Sequence, residues 1–96
     1  MVQINHLERV LAFIKKHPDS HSSLESWVQI IERNHFNHFI HLRQTFGSVD
    51  YVKPYVVFDI SGNKYRLITL INYALGLMSV EQILTHLEYD KGKWRK

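Results

Sequence analysis

The sequence predicts an α+β fold in which N-terminal helices pack on one face of a small antiparallel sheet. Three observations predict it. Up to Phe46 the apolar residues recur at helical spacing. From Tyr51 the period becomes that of strands, in segments rich in β-branched and aromatic residues. Those strands follow one another across Ser61-Gly62-Asn63 and Ala74-Leu75-Gly76, turn chemistry that joins antiparallel neighbours. Helices first and strands afterwards is the α+β order.

Taken in order, Val2 and Ile4 alternate with Gln3, enough for a short strand. Asn5 with Glu8 is a capping-box pattern, and Leu7, Val10, Leu11 and Ile14 then line one helical face. Lys15 and Lys16 suit the negative end of the helix dipole, and Pro18 stops the element. Ser20 or Ser22 is expected to cap a second helix, Ser22 with Glu25 repeating the capping box. Leu24, Trp27, Val28 and Ile31 form its apolar stripe, widened by Ile30, and Asn34 ends it. The two helices form an antiparallel hairpin. Asn37 is expected to cap a short third helix carrying Phe39, Leu42 and Phe46, with Gly47 as its stop. Val52 to Phe58 reads as one strand, with Pro54 at its start or on an edge. Tyr65 to Ile71, apolar on both faces, reads as a central strand. Val80 to Leu84 is the last strand and runs into Thr85.

The 96 residues allow one domain, spanning 1–96. The chain has no cysteine, so it offers no disulfide framework and no Cys-based metal or redox site. No apolar run reaches the length of a membrane span, and the N-terminus lacks the basic-then-apolar pattern of a signal peptide. A cytoplasmic protein with no membrane association is expected. The net charge of +3 lies wholly in the second half. Residues 1–50 balance Arg9, Lys15, Lys16, Arg33 and Arg43 against Glu8, Asp19, Glu25, Glu32 and Asp50. Lys53, Lys64, Arg66, Lys91, Lys93, Arg95 and Lys96 outnumber the acids after residue 50, so that half would meet a polyanion. A basic tail kept for solubility is the plainer reading.

Chemistry is concentrated in Thr85 to Trp94, which holds His86, Glu88, Tyr89, Asp90, Lys91 and Lys93. Cleaving RNA without a metal requires a base for the 2′-hydroxyl proton, an acid for the leaving 5′-oxygen and cations for the phosphorane. Imidazole can serve as acid or base near neutrality. A phenol or ammonium can substitute if neighbouring positive charge lowers its pKa. The alternative is a C-terminal capping segment with a solvated charge run. Lys64 and Arg66 stand two apart on one strand face, either as a phosphate clamp or as charges that keep an edge soluble. Tyr51, Tyr55, Tyr65 and Tyr73 either stack on bases or fill the strand surface. His35, His38 and His41 lack a neighbouring carboxylate at ligand spacing, so exposed or capping histidines are expected and no metal site.

Val57-Phe58-Asp59-Ile60-Ser61-Gly62-Asn63-Lys64-Tyr65-Arg66-Leu67 resembles the VFNI-x-GN-x-YRL hairpin of the HigB toxins. Thr85-His86-Leu87-Glu88-Tyr89-Asp90-Lys91-Gly92-Lys93-Trp94 resembles their TH-x-EYDKGKW ending. The resemblance implies the RelE/ParE-like microbial RNase fold and the toxin of a type II toxin–antitoxin pair. It implies a metal-independent, cofactor-free endoribonuclease (mRNA interferase) that cleaves mRNA on the translating ribosome. The implied protein partner is a HigA-like helix-turn-helix antitoxin. By position Asn63 and Arg66 match the GN-x-YR residues, and His86, Glu88, Tyr89, Asp90 and Lys91 the terminal motif. The candidate catalytic residues are His86, Tyr89, Arg66 and Lys91, and the candidate RNA contacts Asn63, Lys64, Lys93 and Lys53. Two positions depart from the family pattern: Asp59 stands where relatives carry Asn, and Glu81 where they carry an arginine. The Glu81 departure supports a second reading, a catalytically impaired RNA- or antitoxin-binding module. A gyrase-inhibiting toxin of the same fold is a third.

Overall fold

The computed structural model describes residues 2–95. Strand β1 (Gln3–Asn5) leads into α1 (Leu7–Lys16), a 3-10 turn (Pro18–Ser20), α2 (His21–Arg33) and α3 (Phe39–Thr45). Then come β2 (Asp50–Val52), β3 (Tyr55–Ile60), β4 (Tyr65–Asn72), β5 (Leu77–Thr85), α4 (His86–Asp90) and a second 3-10 turn (Lys93–Arg95). The sheet order is β1-β5-β4-β3-β2. The strands from β2 to β5 form the expected antiparallel succession, and β1 adds a parallel edge beside β5. Apolar on both faces, β4 lies at the centre, as its composition predicts.

The two faces of the sheet do different work. Val56, Phe58, Ile60, Leu67, Met78 and Val80 meet Val10, Leu24, Trp27, Ile31 and Leu42 in the main core beneath α1, α2 and α3. Val57 and Ile68 point the other way and are covered by Trp94, with Tyr55, Leu84 and Tyr89 around it. The chain after β5 therefore crosses the face that the helices leave open. Side chains alternate along strands, so Asp59 shares that second face with Val57, and Arg66 with Ile68.

Several local expectations are corrected. Asn5 does not cap α1, because β1 runs through it to pair with Ser79. The N-cap is His6, in the left-handed region at φ 66° with no side-chain cap bond. Leu11 stays exposed, and Phe13 joins Leu7, Val10 and Ile14 against the sheet. Ser20, not Ser22, occupies the N-cap position of α2, but its side chain makes no capping bond. The buried Ser20 Oγ donates to His17 O at 2.6 Å, inside the preceding turn, and Ser22 lies within the helix. His38, not Asn37, caps α3, its Nδ1 accepting from His41 N. His41 Nδ1 in turn accepts from Asn37 N, so these histidines are capping groups. The expected single strand from Val52 is two strands, with Lys53 and Pro54 in the turn between β2 and β3.

A bulge interrupts β5. Ile68 pairs with Gln82 and Thr69 with Val80, so Glu81 is the extra residue. Its effect is to turn the strand over. Met78 and Val80 face the helices, yet Leu84 lies on the second face with Trp94. A bulge disrupts the hydrogen-bond ladder locally. Arg9 Nη1 satisfies the carbonyls there, donating to Val80 O at 2.8 Å and Glu81 O at 3.1 Å.

Candidate active site

The second face carries a polar cluster where β3, β4 and α4 meet. Asp59 and Arg66 are register partners across β3 and β4. Asn63 belongs to the turn joining those strands, which passes through positive φ at Ser61 and Gly62. His86 opens α4, and its backbone N–H donates to Lys64 O at 2.8 Å, tying the helix start to that turn. Thr85 caps α4 with a complete capping box. Its hydroxyl accepts from Glu88 N, and Glu88 Oε1 accepts from Thr85 N.

Arg66 is the hub. Its Nε pairs with Asp59 Oδ1 at 3.1 Å. Nη1 donates to Asn63 O at 3.3 Å and Tyr65 O at 3.2 Å. Nη2 donates to Asn63 Oδ1 at 2.6 Å and meets His86 Nδ1 at 3.1 Å. Every N–H of the guanidinium thus has a partner, and the side chain is buried. Guanidinium only donates, so Nδ1 of His86 must accept. The remaining ring nitrogen, Nε2, then carries the proton and donates to Asp90 Oδ2 at 3.0 Å. Neutral His86 is therefore the Nε2–H tautomer, held between Arg66 and Asp90 while its ring stays exposed.

Tyr89 lies beside this group. Its ring stacks on Trp94 at 5.0 Å between centroids, with the Arg66 guanidinium 5.6 Å from its centre. Burial pushes the Tyr89 pKa up, Asp50 adds to the rise, and Arg95 and Arg66 oppose it without reversing it. A phenol activated as a base by lowered pKa is thus not what this site provides. Tyr89 stays protonated at neutral pH, which suits a proton donor. A cleft lined by Arg43, Asp50, Asp59, Arg66 and Tyr89 opens next to it.

The remaining expected site residues are dispersed. Lys64 lies in the turn before β4 begins, so the two-residue spacing does not place it with Arg66. Its Nζ pairs instead with Asp19 at 3.2 Å, where Tyr65 Oη also donates at 2.9 Å. Lys91 and Lys93 line a second cleft with Gln82, Leu84, Glu88 and Trp94. Lys53 lies in the turn at the end of β3 remote from Asp59. Three of the four candidate stacking tyrosines are packing groups: Tyr55 lies against Trp94, Tyr65 against Phe13, and Tyr73 against the main core. Tyr51 remains exposed. Glu81 lines neither cleft, and its Oε2 accepts from Ser79 Oγ at 2.6 Å.

Sequence reasoning did not assign Asp59 and Asp90 roles in the site. Asp90 was detectable, because His86 and Asp90 stand at i, i+4, the spacing of facing helical neighbours. Asp59 becomes a partner of Arg66 only through strand register.

The capping box predicts acid sensitivity. The Thr85 backbone N–H, helped by its hydroxyl, His17 and Lys91, holds the Glu88 carboxyl below its ordinary value of 4.5. A carboxylate with a depressed folded pKa stabilises the fold above its unfolded pKa, and that contribution disappears as pH falls through the folded value. Amide-exchange protection in α4 is expected to drop below about pH 4.5, ahead of β4. Glu88→Gln should remove that early step.

A small α+β domain with a histidine–arginine–carboxylate cluster at its basic C-terminal segment is the class defined by this fold and site. The model of the HigB toxin family, described as the RelE-like toxic component of a toxin–antitoxin system, matches residues 20–92. The mRNA interferase HigB of Escherichia coli O6:H1 (strain CFT073) is 31% identical over 80 residues, covering 80% of this chain and 78% of that protein. The mRNA interferase toxin HigB of Escherichia coli K12 is 25% identical over 79 residues, covering 79% and 76%. The mRNA interferase HigB of Shigella flexneri matches at the same identity and coverage. The chain belongs to the HigB family of RelE-like toxins. Among the described residues no helix is long and apolar enough to cross a membrane.

Proposed function

We propose that this chain is the mRNA-cleaving toxin of its pair, a metal-independent endoribonuclease that acts in the cytoplasm on messages in the translating ribosome. A HigA-like helix-turn-helix protein is the proposed antitoxin. The observation that carries this reading is His86, exposed yet held in one tautomer between Arg66 and Asp90. A phosphate oxygen that takes over the Nη2 proton from His86 draws positive charge onto the scissile group. The same exchange frees the Nδ1 lone pair. Nδ1 then accepts the 2′-hydroxyl proton as the 2′-oxygen attacks phosphorus. The P–O5′ bond breaks, Tyr89 donates its proton to the leaving oxygen, and the products are a 2′,3′-cyclic phosphate and a 5′-hydroxyl. Lys91 and Lys93 supply positive potential along the second cleft, and Asn63 and Lys64 edge the path at the turn. Lys53, at the remote end of β3, contacts RNA away from the cut.

Inducible expression followed by 5′-end mapping tests the proposal. New mRNA ends carrying 5′-hydroxyls are expected, and purified protein should cut message in a translation extract treated with a chelator specific for zinc and other transition metals. Unchanged mRNA ends with normal growth would sink the nuclease reading. The impaired-module reading is favoured by the carboxylate at Glu81. If Glu81→Arg creates toxicity that the parent chain lacks, that second reading is correct.

A further inference from the structure

The polar cluster contains a carboxylate that takes no part in the proposed proton transfers. Asp59 is half-buried, and its one ion pair among the described residues joins its Oδ1 to Arg66 Nε. We propose that Asp59 is a positioning residue that sets the tautomer of His86 through Arg66. The inference rests on His86 being the reacting imidazole only for its consequence in cleavage; the tautomer itself is a property of the free protein.

The argument follows from the geometry of the guanidinium. The group is planar and rigid, so fixing Nε fixes the directions of both terminal nitrogens. Asp59, the register partner of Arg66, sits beside Nε and holds it through an ion pair, whereas the other partners of the guanidinium are neutral. Nη1 is then directed at the carbonyls of Asn63 and Tyr65, and Nη2 is left for Asn63 Oδ1 and His86 Nδ1. The partners of Nη2 are neutral side-chain atoms, so they are the ones a phosphate displaces most readily. With Nε released, the fork can swing about its last torsion. Nη2 then leaves Nδ1, and the imidazole loses the donor that excludes a proton there. Asp90 alone does not fix the tautomer, since a ring freed from Nη2 can change rotamer and give up its bond to that exposed carboxylate. An asparagine at position 59 keeps an oxygen acceptor for Nε and should preserve the arrangement.

Long-range ¹⁵N–¹H correlation spectra of the full chain read the His86 tautomer directly, at a pH where the ring is neutral. In the unsubstituted protein the Nε2–H form is expected to predominate. In Asp59→Ala the two ring nitrogens are expected to approach averaged shifts, with the other histidines unchanged, and Asp59→Asn should restore the separation. Should Asp59→Ala fail to fold, Asp59→Val, a β-branched replacement suited to a strand, carries the same expectation. Binding of a non-cleavable 2′-deoxy oligonucleotide, followed by anisotropy, should tighten several-fold in the folded Ala or Val variant, because Nε becomes available to phosphate. A folded Ala or Val variant with an unaltered Nε2–H signature would overturn the proposal. So would an Asp59→Asn protein that switches tautomer. Failure of the nuclease reading leaves these signatures unaffected, so the two are separable.

Discussion

His86→Ala is expected to lower RNA cleavage by about 10²–10⁴-fold, the worth of one positioned acid or base, and to abolish growth arrest on induction. The fold should be nearly untouched. His86 is exposed, occupies the first turn of a short helix and contributes nothing to either core cluster. Alanine is also the better helix former. What is lost is the acceptor for Arg66 Nη2 and the donor to Asp90, and both partners can turn to water at that exposed edge. Thermal unfolding by circular dichroism checks the stability, and 5′-end mapping checks the activity. A folded His86→Ala protein that cuts at the parent rate would remove His86 from the mechanism and with it the proposed base.

Arg66→Lys is expected to be the most damaging conservative change in the chain. Lysine keeps the charge but has one nitrogen, and that nitrogen cannot hold Asp59, Asn63 and His86 at once. The side chain is 11% exposed, so groups deprived of partners remain partly shielded from water. A loss of about 1–3 kcal/mol of stability is expected from that alone. Cleavage should fall by at least about 10²-fold, the scale of a lost oriented donor at a developing charge. Urea titration would show a lower midpoint at unchanged slope. An Arg66→Lys protein that keeps both its midpoint and its rate would show that Arg66 acts as a simple point charge. The two substitutions should not add, because they break the same Nη2–Nδ1 contact.

Legibility differed between elements for identifiable reasons. The stripe of α2 and the central character of β4 could be read directly, since burial on one face or two leaves a periodic signature. The Ser61-Gly62-Asn63 hairpin was legible through Gly62, which adopts positive φ, although the second left-handed residue is Ser61 and not Asn63. The helix caps were misread at Asn5, Ser22 and Asn37, where the pattern was local and the outcome depended on what the neighbouring residues were bonded to. Asn5 was taken by a strand, and Ser20 by the turn before it. The terminal motif stood out by its density of polar groups, but its helical form did not, as five residues carry too little periodicity.

The sequence by itself determined the order of helices and strands, the basic second half, the turn that shapes the Arg66 hairpin, and Asn63, Arg66, His86 and Tyr89 as candidates for the site. Tertiary structure alone decided which of those residues meet. Strand register put Asp59 opposite Arg66 and left Lys64 to Asp19. The bulge at Glu81 turned β5 over, so that the last strand delivers α4 to the face opposite the main helices. Periodicity reports which side of a strand is buried, but not when one extra residue reverses that side. His86 meets Asp90 locally at i, i+4, but Arg66 lies twenty residues before His86 in sequence, and packing across the sheet brings those two together.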